Sequence, residues 1–195
     1  MFLVWVLLLV WNFCVSVWDS YAAGYNLKLL ENETGALNII LRIGSFSALV
    51  IGFVGSTYIF VSVAGIIAYL TNYLSDAALL LLFDLTFVVG GAVLVFFGII
   101  VTIESVVLAA KTHESMSIFA SIYNTMASIW NTSLYIREAP AAIAQIGSEF
   151  SSHERDNELA IIVLIVIVSV IASMIVSYLA FKAGVRKASI MLQGL

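Results

Sequence analysis

Between Arg42 and Asp76 the chain carries no charged residue, and between Asp84 and Glu104 it again carries none. Uninterrupted apolar runs of this length constrain the fold most, because about 20 consecutive apolar residues rising 1.5 Å each fill the hydrocarbon core of a bilayer. Four segments meet the requirement: residues 2–23, 42–70, 77–110 and 159–181, the last bounded by Glu158 and Lys182. They are too long and too rarely alternating for barrel strands, and one Pro and 12 Gly among 195 residues leave helices room to run. With 63% apolar and 10% charged residues, the chain lies far from the roughly 45–50% apolar and 25% charged of soluble domains. The expected class is an all-α integral membrane protein with four transmembrane helices, forming one multi-pass domain over residues 1–195 in a cell membrane.

The N-terminal run resembles a signal-peptide core, with Ser20-Tyr21-Ala22 as a small-x-small site, but no Lys or Arg precedes it. It is therefore read as a retained helix. A short polar link, residues 25–37, joins the first two runs. A longer mixed segment, residues 113–157, separates the last two. Within it Ile118, Phe119, Ile122, Tyr123, Met126, Ile129, Trp130 and Leu134 recur at helical spacing, which predicts an amphipathic helix ending before Pro140. A second short helix with Ile143, Ile146 and Phe150 follows, and Ser151-Ser152-His153-Glu154 reads as a link and N-cap.

Orientation draws on divided signals. Lys182, Arg186 and Lys187 follow the fourth run, whereas Lys111, Arg137 and Arg155 sit in or beside the 113–157 segment. Five of the twelve Asp and Glu fall in that segment, more than in any other link, and the sequons at Asn32 and Asn131 would share its side. The expectation is a cytoplasmic C-terminus, with residues 25–37 and 113–157 on the non-cytoplasmic side.

The second and third runs are joined by the short polar turn Thr71-Asn72-Tyr73-Leu74-Ser75-Asp76, so they should pack as an antiparallel central hairpin. Folding back at Tyr73 pairs Ala48 with Gly98, Gly55 with Gly91 and Ser62 with Asp84. Small residues permit the close backbone approach that joins helices in lipid. The expected packing set is Gly44, Ala48, Gly52, Gly55, Ser62, Gly91 and Gly98. The same register levels Arg42 with Glu104 as an ion pair. Asp84 is the candidate for ion or proton handling, or for a hydrogen bond from Ser62 or Thr86. Polar stripes at Asn12, Ser16, Asp19 and Ala23, and at Ser169, Ser173 and Ser177, should face protein. Trp5, Trp11 and Trp18 should face lipid or another subunit.

Catalytic patterns are missing: there is no Gly-x-Ser-x-Gly, no Cys-x-x-Cys, no phosphate-binding Gly loop and no His-Glu-x-x-His. Cys14 is the single cysteine, and His113 and His153, each before a glutamate, read as solvated capping residues rather than metal ligands. Net charge is −4 with no basic stripe, which excludes nucleic acid as a partner. No enzyme, cofactor or metal is expected. The expected role is a non-catalytic multi-pass subunit of a larger homo- or hetero-oligomeric membrane assembly, with an oligomeric channel or transporter component as the alternative. Its partners would be the bilayer and other membrane subunits or copies of itself. Phe119, Tyr123, Met126 and Trp130 form the expected docking surface.

Overall fold

The computed structural model describes residues 2–31, 34–113, 115–150 and 156–193 and is built from helices: α1 (Phe2–Leu29), α2 (Ala36–Leu70), α3 (Asp76–Thr112), α4 (Ser115–Phe150) and α5 (Asp156–Gln193). Three stretches, Ala36–Leu70, Asp76–Thr112 and Asn157–Gln193, are long and apolar enough to cross a membrane. The chain is thus an all-helical membrane protein over the described residues.

Local chemistry sets the turns. At the α2–α3 link Thr71 folds its hydroxyl onto the Ile67 carbonyl at 2.7 Å, and Asn72 takes a left-handed φ of 60°. Ser75 then caps α3, its side chain accepting from the Ala78 N–H at 3.3 Å, with Asp76 in the first turn where the helix dipole favours an acid. At the other end of α3, His113 adopts φ 55° and donates its N–H to the Ala109 carbonyl at 3.0 Å. The chain reverses there directly into α4. Gly35, at φ 126°, turns the chain into α2, a conformation in which a side chain would be strained.

Short links make each helix antiparallel to the next. α4 packs on α3, α3 on α2, and α2 on α1, while α5 lies against both α1 and α2. The start of α5 is tied to the α2–α3 turn by Glu158, whose carboxylate accepts from the Ser75 N–H at 2.8 Å and the Ser75 hydroxyl at 3.1 Å. At that end Val61, Leu74, Ala78, Leu81, Leu82, Ile162 and Ile165 form the buried apolar core. α1 and α5 consequently run in the same direction, and the chain traverses the length of the bundle five times.

Two sequence expectations differ from this arrangement. The helix expected to end before Pro140 continues through it to Phe150. A proline inside a helix costs about 3 kcal/mol in lost hydrogen bonding and ring contact. Ala139 and Ala142, on either side of it, are buried, so packing on α3 holds the helix together across Pro140. The 113–157 segment was also expected to hold two helices, yet α4 is a single helix of 36 residues lying along α3, and it is not among the stretches apolar enough to cross a membrane. The N-cap expected at residues 151–154 falls outside the described residues.

Candidate functional site

α2 and α3 pack against each other along their length. The Glu104 methylenes press on Gly44, the Tyr58 hydroxyl donates to the Phe87 carbonyl at 3.1 Å, and Leu82 packs on Gly65. The glycines expected to meet across this pair do not. Gly52 and Gly55 turn instead to α1, where a Cβ on Gly52 would lie 2.5 Å from the Ser16 carbonyl and one on Gly55 would collide with the Ser16 hydroxyl. Gly91 and Gly98 turn to α4, beneath Tyr135 and Ser128. The physical reason is that each of α2 and α3 has neighbours on two sides. Spacing by sevens defines a seam along a helix but does not say which neighbour the seam faces. Ala48 and Ser62 are half-buried.

The closest approach in the bundle joins α1 to α5. A Cβ on Gly24 would overlap the Phe181 carbonyl, and one on Gly184 would overlap the Tyr21 carbonyl and come within 2.8 Å of the Tyr25 nitrogen. Backbone meets backbone there. The serines of the expected polar stripes turn inward, Ser16, Ser169, Ser173 and Ser177 being buried, and Ser20, outside those stripes, is buried with them. Most bond their own helix, Ser16 to the Asn12 carbonyl at 2.8 Å and Ser173 to the Ser169 carbonyl at 2.7 Å. Ser45, Ser56 and Ser177 hold buried hydroxyls without a partner among the described residues.

Along α3 and α4 the contacts are made by side chains. Thr102 is the hub, its hydroxyl 2.7 Å from that of Ser128 and 3.1 Å from the Asn124 carbonyl, while Tyr135 donates to the Val88 carbonyl at 3.1 Å. α4 therefore turns its small and polar face inward. The expected docking residues point the other way: Phe119, Met126 and Trp130 are 65%, 67% and 70% exposed, with Tyr123 beside them. Asn131, the one sequon asparagine within the described residues, is exposed in the middle of this helix, and Asn32 lies outside them.

The charged candidates do not converge. The expected Arg42–Glu104 ion pair is not formed. The Arg42 guanidinium donates to the carbonyls of Leu30 and Glu31, the latter at 3.1 Å, closing the C-terminal end of α1. Glu104 is only 8% exposed against Gly44. Among the described residues the ion pairs are Lys28–Glu31 and Arg137–Glu138. At Asp84, one carboxylate oxygen is buried without a partner among the described residues, and the Thr86 hydroxyl expected to serve it donates to the Leu82 carbonyl at 2.7 Å instead. Among the described residues no three His, Cys, Asp or Glu side chains gather as a metal would require. His113 is exposed at the end of α3, and His153 is outside the described residues.

Sequence reasoning missed Tyr58, Tyr135, Thr102, Gly24 and Gly184. The first three are long or β-branched residues that gain their role from the helix opposite. The two glycines sit near the ends of their apolar runs, and only the small-residue rule could have pointed to them. Comparison with protein-family models, with characterised proteins and with solved structures finds no match to this chain.

Proposed function

We propose that the chain is a non-catalytic multi-pass membrane subunit that packs into a larger membrane assembly. The observation carrying this reading is the inverted face of α4. Ser128 and the Asn124 carbonyl meet Thr102 of α3, and the aromatic stripe turns outward, with Asn131, Arg137 and Glu138 exposed beyond it. A helix facing water would do the opposite. In lipid, apolar residues belong on the perimeter and small and hydrogen-bonding residues at the contacts. We take α4 as a membrane helix alongside α1, α2, α3 and α5, in place of the extramembrane segment the sequence suggested. The outward stripe then meets acyl chains or the helices of a partner.

The charge distribution supports an orientation. Lys28 and Lys111 lie in the last turns of α1 and α3, and Arg42 caps α1. Lys182, Arg186 and Lys187 follow Phe181, whose carbonyl meets Gly24 at that same end. Six of the eight Lys and Arg therefore gather at one end of the bundle. Asp76, Asp84 and Glu158 lie toward the other, beside the α2–α3 turn. The signals were divided only while residues 113–157 were taken to return to the side they left. By the positive-inside rule the basic end is cytoplasmic, which keeps the C-terminus there and moves the 25–37 link to the same side.

Extraction in mild detergent followed by native mass spectrometry tests the subunit role. Assemblies heavier than one chain support it. An oligomer that conducts ions after reconstitution into liposomes would replace it with the channel or transporter reading, for which Asp84 and the buried hydroxyls of Ser45, Ser56 and Ser177 are the groups to examine.

A further inference from the structure

Beside the glycine crossing lies a groove of about 350 Å³ lined by Trp18, Tyr21, Ala22, Tyr25, Asn26 and Lys187. Its walls are built rather than incidental. Tyr21 and Tyr25 stack at 6.5 Å between ring centroids, Trp18 leans on Tyr21 at 5.6 Å, and the Tyr25 hydroxyl reaches the Met191 sulfur at 3.0 Å. Trp18 and Asn26 are eight residues apart on one helix, so the groove runs about 12 Å along α1. One end is polar and cationic, the other aromatic.

We propose that this groove binds an acidic phospholipid, its phosphate at Lys187 and Asn26 and its glycerol and upper acyl chain along Tyr21 and Trp18. Charge complementarity singles out an anion. The lining holds a lysine and no carboxylate, and Arg186 precedes Lys187 on the same helix. Lys182, one turn earlier, is engaged 5.9 Å above the Tyr178 ring, which leaves Lys187 as the cation directed to the groove. Depth agrees with a lipid: the basic residues begin immediately after the uncharged run 159–181, where headgroups meet hydrocarbon. Tyrosine and tryptophan favour that boundary because one part of each ring is apolar and another can hydrogen-bond. A soluble anion would use the lysine and leave the aromatic floor idle. Basic pockets between membrane helices select anionic headgroups on the same grounds.

The test is native mass spectrometry of the full chain in detergent with equal amounts of phosphatidylglycerol and phosphatidylcholine. The wild type should retain phosphatidylglycerol in preference. Lys187→Gln should lower that occupancy about fivefold, the effect of one interfacial lysine on an anionic headgroup. Lys111→Gln, at the same end but away from the groove, should leave it unchanged. Both lysines are exposed, so neither change disturbs the packing. Equal retention of the two lipids, or an unchanged phosphatidylglycerol occupancy in Lys187→Gln, overturns the proposal. Displacement of the lipid by inorganic phosphate or glycerol phosphate overturns it in favour of a soluble anion.

Discussion

The α1–α5 crossing and the α3–α4 seam both join long helices through glycine, yet they close by different means. At Gly24 and Gly184 the facing atoms are the backbone carbonyls of Phe181 and Tyr21. At Gly91 and Gly98 they are the ring of Tyr135 and the hydroxyl of Ser128. A side chain can rotate away from an added methyl group, whereas a helix backbone must shift as a whole. The first contact is therefore rigid and dictated by size. The second is compliant and dictated by hydrogen bonding, and it can be remodelled without parting the helices.

The largest expected effect follows from that rigidity. Leu at Gly24 or Gly184 should lower stability by about 3 kcal/mol or more, since there is no rotamer to relieve the overlap. Thermal denaturation in detergent reads this, and a melting temperature matching wild type would break the distinction between the two contacts. Gly52→Val comes next, at about 2 kcal/mol, because the Ser20 hydroxyl can yield while the Ser16 carbonyl cannot. Thr102→Val keeps the shape of the α3–α4 seam but removes its hydrogen-bond hub, and about 1 kcal/mol is expected. A larger loss would mean that this seam is as unforgiving as the glycine crossing.

Smaller still is Gly98→Ala. Its new methyl would meet only the Ser128 hydroxyl at 3.2 Å, so a change within about 0.5 kcal/mol is expected. The least disturbance to the isolated chain should come from Trp130→Ser, since that ring is exposed and borders no other helix of the bundle. With Trp130 as the single tryptophan, quenching by brominated lipid in the native membrane sharpens the reading of α4. Strong quenching means acyl chains cover the stripe, and protection in an assembly of higher mass means that a partner does.

Topology supplies a further check on the two halves. In a Cys14→Ser background, a cysteine at position 28 should react from the cytoplasmic side and one at position 73 from the other. Labelling of both from one side would remove α2 as a span, and labelling of a cysteine at position 192 from the side opposite position 28 would return α4 to an extramembrane position.

Much of the fold was legible because charge placement along an apolar chain is a one-dimensional signal. The spans around residues 42–70, 77–110 and 159–181 follow from where Arg42, Asp76, Glu158 and Lys182 stand. The candidate site was less legible. Gly55 and Gly91, expected to meet each other, face α1 and α4 instead. Arg42 found backbone carbonyls at the end of α1, a partner that pairing charges by height could not suggest.

The sequence by itself determined the apolar surroundings of the uncharged runs and their helical structure. Hydrocarbon tolerates only backbones that satisfy their own hydrogen bonds, so long uncharged runs in a chain with one proline must be helices. Tertiary structure alone decided the direction of α4 and the partner of each small residue. The α4 stretch is amphipathic, and amphipathicity records that a helix has two unlike environments without saying which is protein. In water the apolar stripe of Phe119, Met126 and Trp130 would turn inward; against α3 it turns outward, because Thr102 and the carbonyl of Val88 offer hydrogen bonds that lipid cannot.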